Sequence, residues 1–172
     1  PATAGRYGAN FINFGTIESL PATVETFKEN FQKHVDENSS DALQPTEPLY
    51  GGTKRIYLAD TDEEAMRRAR SAYEVYRANF RKPLPGGTWR RPEAYGPIPH
   101  VGRYPWDPDF DQAITGEQLI VGSPATVREF VERYTAESNC NYLVSSVQWG
   151  DLSHEEASHS LGFFMADVMP GF

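Results

Sequence analysis

Strand-like and helix-like segments alternate along this chain, and sharp helix starts mark where one gives way to the other. Thr61-Asp62-Glu63-Glu64 and Ser153-His154-Glu155-Glu156 both have the S/T-x-x-E form of a capping box. In that motif a hydroxyl oxygen and a carboxylate each satisfy a backbone N–H left unpaired at a helix start. Ser123-Pro124 marks a third start, an N-cap followed by proline at the first helical position, where its missing N–H costs nothing. Two of these starts follow strand-like runs, residues 53–59 and 141–148. Alternation of this kind is the pattern of parallel α/β folds.

The apolar periods fill in the order. Residues 2–7 are helix-compatible, and Gly8 ends them as a left-handed cap ahead of an apolar strand over 10–14 that stops at Gly15. Val24, Phe27, Phe31 and Val35 recur at spacings of three and four, the stripe of an amphipathic helix. Residues 36–50 have no period and read as a surface connection. Met66, Ala69, Tyr73, Tyr76 and Phe80 line a second helix, which Pro83 ends. Val127, Phe130, Val131 and Tyr134 make the i, i+3, i+4, i+7 stripe of a third. The nearly unbroken apolar run at 141–148 predicts a strand buried on both faces. Ala157, Leu161, Phe164 and Val168 predict the inner face of a last helix, closed by Pro170. Three main strands are visible, too few to close a barrel of eight.

Residues 81–118 differ in kind, because prolines and glycines interleave there with Trp89, Tyr95, Tyr104, Trp106 and Phe110. Connections longer than about 12–15 residues are uncommon and are usually lids or linkers. A polar linker would not carry these aromatics, so the segment is expected to be a packed lid inserted into one domain spanning 1–172. Arg90, Arg91 and Arg103 within it read either as a solvated edge or as contacts to an anion.

Charge and cysteine usage narrow the partners. With 24 Asp and Glu against 16 Lys and Arg, the chain lacks the basic surface that nucleic acid or an anionic membrane requires. No apolar run reaches the roughly 18 residues of a membrane helix, and residues 1–10 lack the form of a signal peptide. The expected compartment is the cytoplasm. Cys140 is the only cysteine, which leaves no disulfide framework and no thiolate metal site. His154 and His159 stand five apart, on different sides of a helix, and read as surface rather than a metal pair. Asp60, Asp62, Glu63 and Glu64 read as acids drawn to a helix start by its dipole. The chain starts at Pro1 and runs straight into a helix, a beginning that reads as a cut.

Two stretches go beyond periodicity. From Leu119 the chain runs through Gly122-Ser123-Pro124 to an ending in which Ser160, Phe164, Val168 and Pro170 fit S-x-x-x-F-x-x-x-V-x-P. This order resembles the C-terminal end of the bacterial-luciferase-like flavin-dependent monooxygenases. The segment 55–65 resembles that family's seventh strand and acidic helix start, and residues 1–14 look like its fifth helix leading into the sixth strand. The resemblance covers nearly the whole chain but only the second half of the family's (β/α)8 barrel. It implies the C-terminal part, about strands six to eight, of a TIM-type barrel with flanking helices.

The resemblance also implies chemistry. The full-length enzyme would use reduced FMN, delivered by a separate flavin reductase, and O2 to oxidise a small organic substrate, and it would be a homo-oligomer. The deazaflavin F420 is the alternative cofactor, and a non-catalytic flavin-binding or dimerising module the alternative function. The piece by itself would be inactive, its catalytic residues lying upstream. Barrel active sites sit where strands end, so the cofactor-binding candidates are Asn13, Phe14 and Gly15 after one strand and Gln148, Trp149 and Gly150 after another. Phe14 or Trp149 would pack on the ring system or merely fill the barrel mouth. Gln148 would bond a flavin edge or cap backbone, while Gly15 and Gly150 would admit a ligand or simply turn the chain. Ala2 and Thr3 begin the helix whose N-terminus, in the resembling family, faces the flavin phosphate.

Overall fold

The computed structural model describes residues 1–38, 47–81 and 108–172. In chain order these form α1 (Ala2–Arg6), β1 (Phe11–Asn13), α2 (Leu20–Glu37), β2 (Tyr50–Leu58), α3 (Asp62–Arg81), α4 (Phe110–Thr115), β3 (Leu119–Gly122), α5 (Pro124–Glu137), β4 (Tyr142–Ser146) and α6 (His154–Phe163). Gly8 does take the left-handed conformation that stops α1, with φ of 65°. All strand pairings are parallel. The sheet is organised around β2, whose first residues pair with β1 through Asn13 opposite Gly52. Its last four residues pair with β3, and residues 51–55 pair with β4.

Side chains alternate along β2, and each face has its own core. Ile56 and Leu58 join Ile120 of β3, Val127, Phe130, Val131 and Tyr134 of α5, and Leu20. Tyr57 and Ala59 join Leu119 and Val121, the small residues Ala65, Ala69 and Ala72 of α3, and Phe110 of α4. Helices thus cover both faces of the parallel sheet, as burial of both faces demands. The α5 stripe is buried as the spacing predicts, and Ser123 and Ser153 cap their helices through Thr126 and Glu156 N–H groups. Thr61 Oγ1 likewise accepts from the Glu64 N–H.

Several expectations are corrected. Residues 36–50 were expected to be connection throughout, but β2 already begins at Tyr50. Within the expected lid, residues 82–107, with Trp89, Arg90, Arg91, Tyr95, Arg103, Tyr104 and Trp106, lie outside the described residues. The described end of the lid holds α4, with Phe110 fully buried, and leads into β3, a strand of four buried residues that the sequence reading passes over. β4 is not buried on both faces, because it pairs with β2 alone and Tyr142 and Ser146 are exposed. Leu161 also lies outside the core, exposed on the last helix. Ala157 and Val168 are buried and Phe164 packs partly buried against the core, as the stripe predicts, while Ser160 takes the inward place beside Leu161; a π-helical turn over Phe164–Val168 follows. Among the described residues, no helix is long and apolar enough to cross a membrane.

Candidate functional site

Parallel α/β proteins place ligands beyond the carboxyl ends of their strands, and the strand exits here do not lie at one level. Asn13 is in register with Gly52, near the start of β2, whereas Ser146 is in register with Arg55. The two groups of candidates therefore leave the sheet at different heights. They also belong to different surroundings.

The first group lies beside α2 and a buried lysine. The Gly15 carbonyl accepts a hydrogen bond from Lys54 Nζ at 2.7 Å, and Asn13 Oδ1 accepts from the Phe14 N–H at 2.7 Å. Phe14 itself is 68% exposed. Lys54 is 1% exposed and its ammonium stands 5.8 Å from the centroid of the Phe130 ring. Burial pushes its pKa down, opposed by the Glu117 carboxylate. Sequence reasoning missed Lys54. The available signal was its phase, since it alternates with Ile56 and Leu58 on the strand face that became core.

The second group is built into the α3 side. Trp149 is 6% exposed and meets Tyr73 at an interplanar angle of 81° with centroids 6.5 Å apart. Gly150 has φ of 64°, and a Cβ there would lie 1.9 Å from the Ala72 carbonyl oxygen, so this glycine serves a tight turn against α3. Gln148 is exposed. Ala2 and Thr3 open a helix of five residues capped by Pro1 without a side-chain bond. Asn13, Phe14 and Gly15 thus follow β1, and Gln148, Trp149 and Gly150 follow β4. What the site does offer is one orphaned donor, Trp149 Nε1, buried without an acceptor among the described residues.

A concavity does exist beyond β2, between the starts of α3 and α6. It has a volume of about 490 Å³ and is lined by Tyr57, Ala59, Asp60, Glu64, Arg67, Arg68, Glu155, Glu156 and His159. Its wall is braced by Arg68, which bonds both carboxylate oxygens of Glu156 and reaches Asp151 Oδ1 at 2.9 Å. Glu156 also accepts from the Ser153 N–H, and with the guanidinium beside it the carboxyl is held down at about 2. Behind the wall, Ser160 Oγ accepts from the Leu58 N–H at 2.9 Å. β4 pairs with β2 only as far as Arg55, so this serine satisfies a strand N–H beyond that pairing. That gives the serine of the closing helix a physical role.

No protein-family model matches the sequence, and no curated protein does. Solved structures match it in fold. Monooxygenase RslO1 of Streptomyces bottropensis is 21% identical with a TM-score of 0.59, over 99% of this chain and 44% of that one. The oxygenating constituent of 3,6-diketocamphane monooxygenase of Pseudomonas putida, a type II Baeyer-Villiger monooxygenase in complex with FMN, is 18% identical with a TM-score of 0.58, over 98% and 44%. Coenzyme F420-dependent tetrahydromethanopterin reductase of Methanopyrus kandleri is 17% identical with a TM-score of 0.53, over 99% and 47%. The chain spans less than half the length of these structures. Across that span it carries the fold of the luciferase-like flavin and F420 oxidoreductases that its sequence resembles.

Proposed function

We propose that this chain is the C-terminal portion of a luciferase-like, FMN-dependent monooxygenase, contributing the last strands of a (β/α)8 barrel, the 81–118 segment and the closing helix. The observation that carries the reading is the match of 98% or more of this chain to less than half of each of two monooxygenases. Exposed apolar side chains support it: Ile12 and Phe14 near β1, and Leu161, Met165 and Met169 at the chain end, are surfaces that further protein would cover.

In this reading Asn13, Phe14 and Gly15 and Gln148, Trp149 and Gly150 contribute to the flavin pocket from the strand exits, and residues outside the chain complete it. The Trp149 N–H is the group here most in need of an acceptor. Bound FMN would supply the oxygen-activating chemistry, with reductant from a separate flavin reductase and a small organic molecule as substrate. The whole enzyme would be a cytoplasmic homo-oligomer. F420 is the second cofactor reading, supported by the match to the F420-dependent reductase, whose TM-score of 0.53 is below the 0.58 and 0.59 of the monooxygenases.

The test is the intact mass and oxygen consumption of the native polypeptide in its source. A product well above 19.3 kDa, approaching the roughly 250 residues of a full barrel, that consumes O2 with reduced FMN is the expected result. Turnover with reduced F420 instead would select the second cofactor. A native 19.3 kDa product that consumes no oxygen would replace the enzyme with a non-catalytic module.

A further inference from the structure

Two side chains reach α3 from neighbouring strands with hydrogen-bond donors to spare. Arg55 of β2 is in register with Ser146 of β4, and Trp149 follows just past the end of that strand. On α3, Tyr73 and Tyr76 stack with centroids 5.8 Å apart. The Arg55 guanidinium lies over the Tyr76 ring, 4.2 Å from its centroid, and donates to the Tyr76 hydroxyl. The Trp149 ring meets Tyr73 edge-on.

Packing explains the rings but not the donors. Trp149 fills space beside Tyr73 and Phe110 in one core, a place that a phenylalanine would fill without burying an N–H. Its Nε1 is buried with no acceptor among the described residues, which costs free energy until something bonds it. Arg55 shares its face of β2 with the core residues Tyr57 and Ala59, a phase in which packing does not call for a charge. It is only partly exposed and makes no ion pair among the described residues. Stacking on Tyr76 offsets part of the cost of its charge, but most of its N–H groups remain to be bonded. Indole and guanidinium are donors only, so their partner must bring acceptors, and a guanidinium favours a carboxylate.

We propose that Arg55 and Trp149 bind a small organic acid. The guanidinium takes the carboxylate, the indole N–H bonds an oxygen of the same molecule, and Tyr73 and Tyr76 flank its apolar body. The proposal rests on the monooxygenase reading only in making that acid the substrate, since binding is measured without flavin or turnover.

Calorimetric titration of the full chain with benzoate tests it, against benzyl alcohol, benzylamine and inorganic phosphate. Benzoate is expected to bind saturably and at least about tenfold more tightly than each of the three. Arg55→Gln should lower its affinity about tenfold and leave that of benzyl alcohol unchanged. Trp149→Phe keeps a ring and removes the N–H, and should weaken benzoate about fivefold with the far-UV spectrum unchanged; if that variant does not fold, Arg55→Gln decides alone. Lys33→Gln on α2 removes the same charge elsewhere and should leave binding intact. Absence of saturable binding, phosphate binding as tight as benzoate, unchanged affinity in Arg55→Gln or in folded Trp149→Phe, or an equal loss in Lys33→Gln would each overturn the proposal. Benzoate binding by a protein that consumes no oxygen would uphold the site and remove the monooxygenase reading, and oxygen consumption without benzoate binding would do the reverse.

Discussion

Lys54 Nζ donates a 2.7 Å hydrogen bond to the carbonyl of Gly15, joining the middle of β2 to the turn that leaves β1. The same turn is held from another side by Glu117, whose Oε2 accepts from the Ile17 N–H at 2.6 Å. Glu117 is one of two non-glycine residues with positive φ among the described residues, a conformation that persists only where the surroundings impose it. A buried cation and a carboxylate from the loop before β3 thus pin one three-residue segment. This turn follows the strand whose exit residues are candidates for cofactor contact.

The buried lysine makes stability depend on alkaline pH. Its folded pKa lies below the ordinary lysine value because burial penalises the charge. Between the folded and unfolded values the unfolded chain binds a proton that the native chain lacks, so stability rises with pH across that window. Urea unfolding followed as pH rises toward the ordinary lysine value of 10.5 should show this rise, and Lys54→Met should flatten it. An equal slope in both proteins would remove Lys54 as its source. Tyr134, whose pKa burial raises, opposes the trend only above the ordinary tyrosine value.

Tyr134 also joins two strands. Its hydroxyl accepts from the Gly52 N–H at 2.6 Å and donates to the Tyr142 carbonyl at 2.8 Å, standing between β2 and β4 as a water would. Tyr134→Phe leaves both backbone groups unpaired. We expect a loss of about 1–3 kcal/mol, with faster amide exchange at Gly52 than in the parent protein. A neutral substitution would mean that solvent replaces the hydroxyl.

Much of this arrangement was legible from the sequence where one local rule governs. The stripe of α5 and the Ser123 and Ser153 caps required only spacing and side-chain type. β3 was lost because four apolar residues inside a proline- and glycine-rich stretch carry no period. β4 was misjudged because an apolar run reports a tendency to be buried, while its actual exposure depends on how many strands flank it. Leu161 fits the apolar spacing, but its neighbour Ser160 is the residue turned to β2, bonding the Leu58 N–H, and Leu161 is left exposed. The candidate site was the least legible part. Naming residues at strand ends says nothing of the register between strands, in which Asn13 stands opposite Gly52 and Ser146 opposite Arg55.

The Arg68 brace predicts behaviour in acid. Glu156 is held at about 2 chiefly by its bonds to Arg68, below the ordinary 4.5. A carboxyl with a depressed folded pKa contributes stability that is present above the unfolded value and is lost as pH falls through the folded one. Arg68→Ala should move the Glu156 titration, followed by carboxyl NMR shifts, up toward the ordinary range. Because the pair is partly open to solvent, the stability lost at pH 7 should be about 1 kcal/mol, fading as pH approaches 2. An unmoved Glu156 midpoint would show that the capping bond from Ser153 sets it instead.

Gly150 separates two roles that a glycine at a strand exit can have. If it admitted a ligand, Gly150→Ala would weaken binding and leave the fold intact. Its backbone is instead in the left-handed region, and a Cβ would lie 1.9 Å from the Ala72 carbonyl oxygen, far inside contact distance. Either the turn or α3 must move, and moving α3 disturbs Ala72, Tyr73 and Trp149 in one core. Backbone strain and overpacking each cost about 1–3 kcal/mol, so denaturant unfolding of Gly150→Ala should show a loss of about 3 kcal/mol, with Trp149 fluorescence altered in the folded state. A variant of parental stability would show instead that the turn relaxes away from α3, and the glycine would regain its reading as a point of ligand approach.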